Sequence, residues 1–201
     1  GTLSIEISST TAEFIIEADR TPYEIEFFRV APLDPSAFTT RINGSDFSPS
    51  GDRDDFVTVG PPLTLNGYQL DFSGDVMLAP ATAYIAGELL IVRVIDKGQN
   101  GDPDVIETVE IVVGSGEIDT ISLRLYESGP DTGEFYGYMQ SSRDETPLND
   151  PVLTTPGETT LTATYIDRFD ETEVSVDTAL VDPFGRVFDS LTGELIDGTT
   201  V

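Results

Sequence analysis

The feature that most constrains this chain is a two-residue alternation of apolar and polar side chains that recurs along most of its length. Residues 3–7 (LSIEI), 12–18 (AEFIIEA) and 23–30 (YEIEFFRV) carry it, and so do 83–96 (AYIAGELLIVRVID), 105–114 (VIETVEIVVG) and 119–127 (DTISLRLYE). It continues through 133–139 (GEFYGYM), 159–167 (TTLTATYID) and 172–181 (TEVSVDTALV). Successive strand side chains point to opposite faces, so this period gives each segment one buried and one wet face. No segment sustains the 3.6-residue period of an amphipathic helix. Short Gly, Pro, Asp and Ser/Thr turns separate the segments, and Asn66-Gly67 within 62–72 (PLTLNGYQLDF) is a hairpin signal. The chain is therefore expected to be all-β.

Antiparallel β-sandwiches suit strands of this length and spacing. The turn spacing between about residues 80 and 182 matches a seven-stranded immunoglobulin-like domain of roughly 100 residues. The expected organisation is tandem immunoglobulin-like antiparallel β-sandwiches: an N-terminal β-domain at 1–79, a sandwich at 80–182, and a terminal strand or hairpin at 183–201. That last stretch reads as the opening of a further module or as a strand shared between subunits, because an unpaired edge must pair with something. Gly1 in place of Met is expected of a processed or excised chain.

Charge and missing residue types narrow the function. Ten Lys+Arg stand against 37 Asp+Glu, a formal net charge of −27. Such a field repels nucleic acid and anionic membrane surfaces. The chain has no Cys, His or Trp, which removes thiolate nucleophiles, disulfides, zinc-thiolate sites and Ser-His-Asp triads. No apolar run reaches the length of a membrane span. Asp131-Thr132-Gly133 matches the aspartic-protease tripeptide, but that chemistry needs a second such carboxylate, and no second Asp-Thr/Ser-Gly occurs. A turn is expected there. The one lysine, Lys97, lies in an acidic loop, unlike the buried lysine of an isopeptide cross-link. No enzyme is expected.

The segment that points most directly to a ligand is 96–107, DKGQNGDPDVIE. Counted as a twelve-residue loop it puts Asp96 at position 1, Asn100 at 5, Gly101 at 6, Asp104 at 9 and Glu107 at 12, close to the EF-hand pattern. Its flanks are strands where an EF-hand needs helices. Gly98, at position 3, offers no side-chain oxygen. Two readings stay open. In one, a β-loop holds Ca²⁺ through Asp96, Asn100, Asp102, Asp104 and Glu107. In the other, the segment is an acidic turn, whose Gly, Asn and Asp serve the backbone alone. Asp119, Glu127, Asp131, Asp167, Asp170 and Glu171 are further loop carboxylates able to gather at one pole of a sandwich, with Arg143 and Arg168 as possible ion partners.

Residues 83–139 followed by 160–167 (TLTATYID) resemble a repeat of very large bacterial surface or secreted proteins. In such repeats a strand ends in Asp, an Asn/Asp-rich loop follows, and a leucine strand ends in Glu-x-Gly-Pro-x-Thr-Gly-x-Phe. The tail 182–201 (DPFGRVFDSLTGELIDGTTV) resembles the opening of carboxypeptidase-regulatory-like or collagen-adhesin B-type sandwiches. The resemblance implies an extracellular stalk, adhesin or filament segment, often stiffened by calcium. The implied partners are neighbouring domains or subunits, with assembly by β-strand addition through the terminal segments. The alternative is a module that binds carbohydrate or a host protein, which would expose an aromatic cluster beside its loops.

Overall fold

A computed structural model describes residues 24–147 and 150–181. The strands expected at 3–7 and 12–18, the start of the one at 23–30, and the whole of 183–201 lie outside these residues. Among the described residues there is no α-helix, and the only helical turn is a 3-10 turn at Lys97–Gln99. No helix among them is long and apolar enough to cross a membrane.

The first half of the described chain gives β1 (Glu24–Val30), β2 (Phe38–Arg41), β3 (Ser45–Ser48), β4 (Val57–Thr58), β5 (Asp75–Pro80) and β6 (Ala83–Tyr84). The second half gives β7 (Leu89–Ile95), β8 (Thr108–Ser115), β9 (Thr120–Glu127), β10 (Glu134–Ser142), β11 (Val152–Thr154), β12 (Thr159–Ile166) and β13 (Val174–Val181). The chain is all-β. Its strands join in one sheet ordered β2-β5-β1-β7-β10-β9-β8-β12-β13-β6, with β11 on β10 and β3 on β9. Most pairings are antiparallel. The expected uniformly antiparallel arrangement is nonetheless a mixed one, because β11 runs parallel to β10 and β6 parallel to β13. At 62–72 the hairpin signal corresponds to a small loop, where Gly67 takes φ 77° and Leu63 bridges Gln69.

Alternation and burial agree where a strand has one wet face. β8, β9 and β12 bury every second residue, with Val113, Leu123, Leu125, Leu161 and Ala163 inside. β7 and β10 differ, being covered on both faces, so Phe135 on one face and Tyr136 and Tyr138 on the other are all core. The second face is sealed by β2 and the loop before β5: Phe38 meets Phe28 edge-on at 5.4 Å, and Phe72 meets Tyr138 at the same separation. Arg93 also lies on this face, its guanidinium 4.9 Å from the centre of the Phe28 ring and hydrogen-bonded to Glu26.

The sheet bends at β9. Its residues 122–125 pair with β3, and only Tyr126 and Glu127 pair with β10. The two halves that meet there enclose one continuous core running from Ile25 to Val181, an arrangement compatible with a β-sandwich. Far from the bend, the Phe27 amide donates to Asp177 of β13 at 2.9 Å, and the Tyr84 hydroxyl donates to the Phe28 carbonyl at 2.6 Å. Strands on both sides of position 80 share this core, with β1 antiparallel to β7 over five residue pairs.

Gly137 is where β10 peels away from β9. A Cβ there would lie 2.9 Å from Leu125 Cγ and 3.1 Å from Ser45 Oγ, the hydroxyl that accepts the Tyr138 amide proton. Overpacking at such a junction costs about 1–3 kcal/mol. Gly137→Ala is therefore expected to lower Tm by several degrees, whereas Gly74→Ala, which faces open space, leaves it nearly unchanged. Equal thermal shifts for the two variants would contradict this packing.

Candidate functional site

The 96–107 loop leaves β7 at a buried residue. Asp96 is only 2 % exposed. One of its oxygens accepts the Gly98 amide at 2.8 Å, which caps the 3-10 turn, and the other accepts the Tyr165 hydroxyl at 2.6 Å. Tyr165 reaches it from β12 because odd-numbered residues of that strand face the core. Burial pushes the Asp96 carboxyl above its ordinary range, with nearby Asp167 adding to the effect, while the bonds from Tyr165 and Gly98 oppose it.

The other end of the loop folds back on itself. The Glu107 carboxylate accepts the Gly101 amide at 2.8 Å and the Asp102 amide at 3.1 Å. Asp102 in turn accepts the Asp104 amide at 3.0 Å, a short Asx turn in which both carboxylates remain at the surface. Asn100 points elsewhere: its Nδ2 donates to Asp131 at 2.9 Å, and its Oδ1 is buried with no protein donor. The five candidate residues thus belong to one loop but turn their oxygens in different directions. Among the described residues, no three His, Cys, Asp or Glu side chains are placed to hold one metal ion.

A second carboxylate organises the neighbouring loop. Glu127, the last residue of β9, is 0 % exposed. Its Oε1 accepts the backbone amides of Thr132 at 2.8 Å and Gly133 at 2.7 Å, and its Oε2 lies 3.4 Å from the Glu107 amide. Consecutive amides converging on one anion form a nest. Asp131 and Gly133 adopt φ 64° and 60°, which turn the amides inward. The Asp-Thr-Gly tripeptide is therefore a turn built around Glu127. A Cβ at Gly133 would come within 3.0 Å of Lys97 Cα, so this turn packs directly against the 96–107 loop.

Asp167 completes the same pole, 4 % exposed, accepting from Gln99 Nε2 at 3.0 Å and from the Phe169 amide at 2.6 Å. Asp170 accepts the Thr172 amide and hydroxyl. Asp119 does not join them. It ends the turn before β9 and binds the Thr120 and Thr154 amides. The eight residues of β9 then separate it from Glu127 by about 25 Å. Arg143 and Arg168 form no ion pair with a described residue, and Lys97 is exposed.

Sequence reading missed the donors rather than the acceptors. Tyr165, Gln99 and the amides of residues 132 and 133 carry the pole, yet only the inward parity of Tyr165 was visible beforehand. What the arrangement does chemically is to immobilise three loops on buried carboxylates. No protein-family model matches this chain, and no curated protein matches it.

Protonation has a defined sign here. Asp96 and Glu26 have folded-state pKa values raised chiefly by burial. Their contribution to stability is fully present below the unfolded-state value and is lost as pH rises through the folded one. Asp34, Asp55 and Asp71 are lowered by serine hydrogen bonds, and their contribution is lost as pH falls through their folded values. Tm is accordingly expected to rise as pH falls from 7 toward the ordinary carboxylate range, then to fall as pH drops below that range. Asp96→Asn should flatten the rise, since the amide still accepts from Gly98 and can donate to Tyr165. A wild-type Tm that declines steadily from pH 7 to 5 would contradict the assignment.

Proposed function

We propose that this chain is a structural and interaction segment of a bacterial extracellular surface protein, of the stalk, adhesin or filament kind. The observation that carries this reading is the loop pole. Its Asp, Glu, Gly and Thr residues are engaged in carboxylate-to-backbone bonds that fix three loops against one another, which favours stiffness over turnover. The Asp-Thr-Gly segment, the one motif with a catalytic counterpart, is engaged in the same way. A net charge of −27 suits a body that stays dispersed outside the cell.

Strand addition is the proposed means of assembly, an extended segment from an adjoining module or subunit pairing with an edge of the sheet. The expected immunoglobulin-like grouping of strands belongs to the same proposal. A carbohydrate-binding reading gains less, because the rings standing well out in solvent among the described residues, Tyr68 and Phe169, lie on separate loops.

Stiffening by calcium is the part most readily tested. Two or three protein donors already hold Asp96, Glu107 and Glu127, so Ca²⁺ is expected to raise Tm no more than equimolar Mg²⁺ does. A ligand at about 100 times its Kd would add roughly 2.7 kcal/mol, an easily visible shift. A Ca²⁺-specific rise abolished by Asp104→Ala would instead make the 96–107 loop a cation clamp. Location tests the reading as a whole. Antibody is expected to label intact cells of the source organism, and label seen only after permeabilisation would overturn it.

A further inference from the structure

Three of the chain's ten basic residues converge on one groove. Arg53, Arg124 and Arg168 line a cleft of about 330 Å³ together with Asp54, Glu110, Thr108 and Ile166. Arg124 is fixed in place: its guanidinium lies 3.7 Å from the centre of the Phe56 ring, and its Nη2 is 3.3 Å from Glu110 and 3.2 Å from the Arg53 carbonyl. Its buried Nε has no acceptor. Arg53 reaches the same Glu110 at 3.2 Å, so one carboxylate serves two guanidiniums. Arg168 is exposed and makes no ion pair with a described residue. On a chain of net charge −27, this groove sets three guanidiniums against the carboxylates of Asp54 and Glu110 and leaves Arg168 without an ion partner among the described residues.

Directly beside it stands a projection of opposite character. Residues 102–106 carry exposed Asp102 and Asp104 together with Val105 and Ile106, which are 48 % and 41 % exposed. The projection is rigid: the Val105 amide donates to the Asp102 carbonyl at 3.1 Å, and Glu107 binds the base of the loop. It joins the groove through Gln99 and Thr108, which flank the loop and line the cleft. Beyond the groove, an uncharged outer face continues across β8, β12 and β13. There Val112 and Val176 flank Thr164, and Val174 faces Ile166. All four of these aliphatic side chains are exposed.

We propose that this patch is a self-association surface, in which the 102–106 projection of one copy enters the arginine groove of a second copy and the second reciprocates. An isologous two-fold interface needs one patch carrying both complementary halves, and this patch does. Charge complementarity selects the partner, since Asp102 and Asp104 meet Arg53 and Arg168 while Val105 and Ile106 meet Phe56 and Ile166. The uncharged face supplies the additional area that a stable dimer requires, about 800 Å² per partner. A rigid projection loses little entropy on docking. The inference extends the structural reading above and takes from it that the partner is a second copy. It is tested in solution, so it holds or fails independently of where the protein resides.

Sedimentation velocity across a concentration series, in EDTA and at fixed ionic strength, reads the outcome. Salt titration is a poor probe, because salt screens the overall repulsion as well as the local pairs. A charge swap at constant salt separates them. A concentration-dependent dimer is expected. Arg168→Glu should weaken it by about ten-fold or more, through like-charge contact. Asp104→Arg should do the same, and the double variant should recover most of the affinity. These positions are exposed, so the singles are expected to melt like wild type. A chain that stays monomeric to millimolar concentration, or a dimer unmoved by the swap, overturns the proposal. So does binding of polygalacturonate at the groove without self-association, which would assign the arginines to an acidic glycan.

Discussion

The Glu127 carboxylate, without solvent-exposed surface at the end of β9, is the interaction on which the rest of the loop pole depends. An ionised group in that position is costly unless donors surround it. The fold supplies them from two directions: the Thr132 and Gly133 amides from the following turn, and the Glu107 amide from the preceding loop. Charge-assisted bonds of this kind are about twice as strong as neutral ones. Because Gly133 lies against Lys97, the ordering passes on to the 3-10 turn, and from there through Asp96 and Gln99 to Tyr165 and Asp167. Three buried acids thus connect the ends of β7, β9 and β12.

Where acids are buried also explains how a chain with 37 carboxylates folds at all. Most of them stand on wet strand faces or in turns, where water screens their repulsion. Among the described residues, Asp96, Glu127 and Asp167 enter the interior at strand ends, next to backbone amides that need acceptors, so each satisfies groups that would otherwise be orphaned, whereas buried Asp46 lies within β3 and accepts the Tyr126 hydroxyl. Arg93 follows the same rule from the cationic side, stacked on Phe28 and bonded to Glu26 in the covered outer face of β1 and β7.

Much of the fold was legible in the alternation. β8, β9, β12 and β13 lie close to the segments marked by period two, because a strand with one wet face must show that period. β3 and β11 were not legible. Ser-Asp-Phe-Ser has no β-branched residue, and it is a strand because β9 offers it an edge and Ser45 accepts from Tyr138. β5 lay hidden between Gly74 and Pro80, too short to stand out. At the loop, the twelve-residue spacing offered Glu107 as the last of five candidate calcium ligands. It could not say that the carboxylate would meet the amides of Gly101 and Asp102, since donors on the backbone leave no mark in residue identity. Asp96, Asn100, Asp102 and Asp104 share a loop for the same local reason, while their directions are set by Tyr165, Asp131 and an Asx turn.

The central claim is that buried carboxylate-to-amide bonds, with Glu127 foremost, hold the loop pole as one body. Residue-resolved amide hydrogen exchange in EDTA tests it most directly, comparing wild type with Glu127→Leu, which keeps the volume and removes the acceptors. The account predicts that amides of Glu107, Thr132 and Gly133 are protected in the wild type and exchange far faster in the variant, while amides paired between β12 and β13 keep their protection. Unchanged protection at those three amides would contradict it.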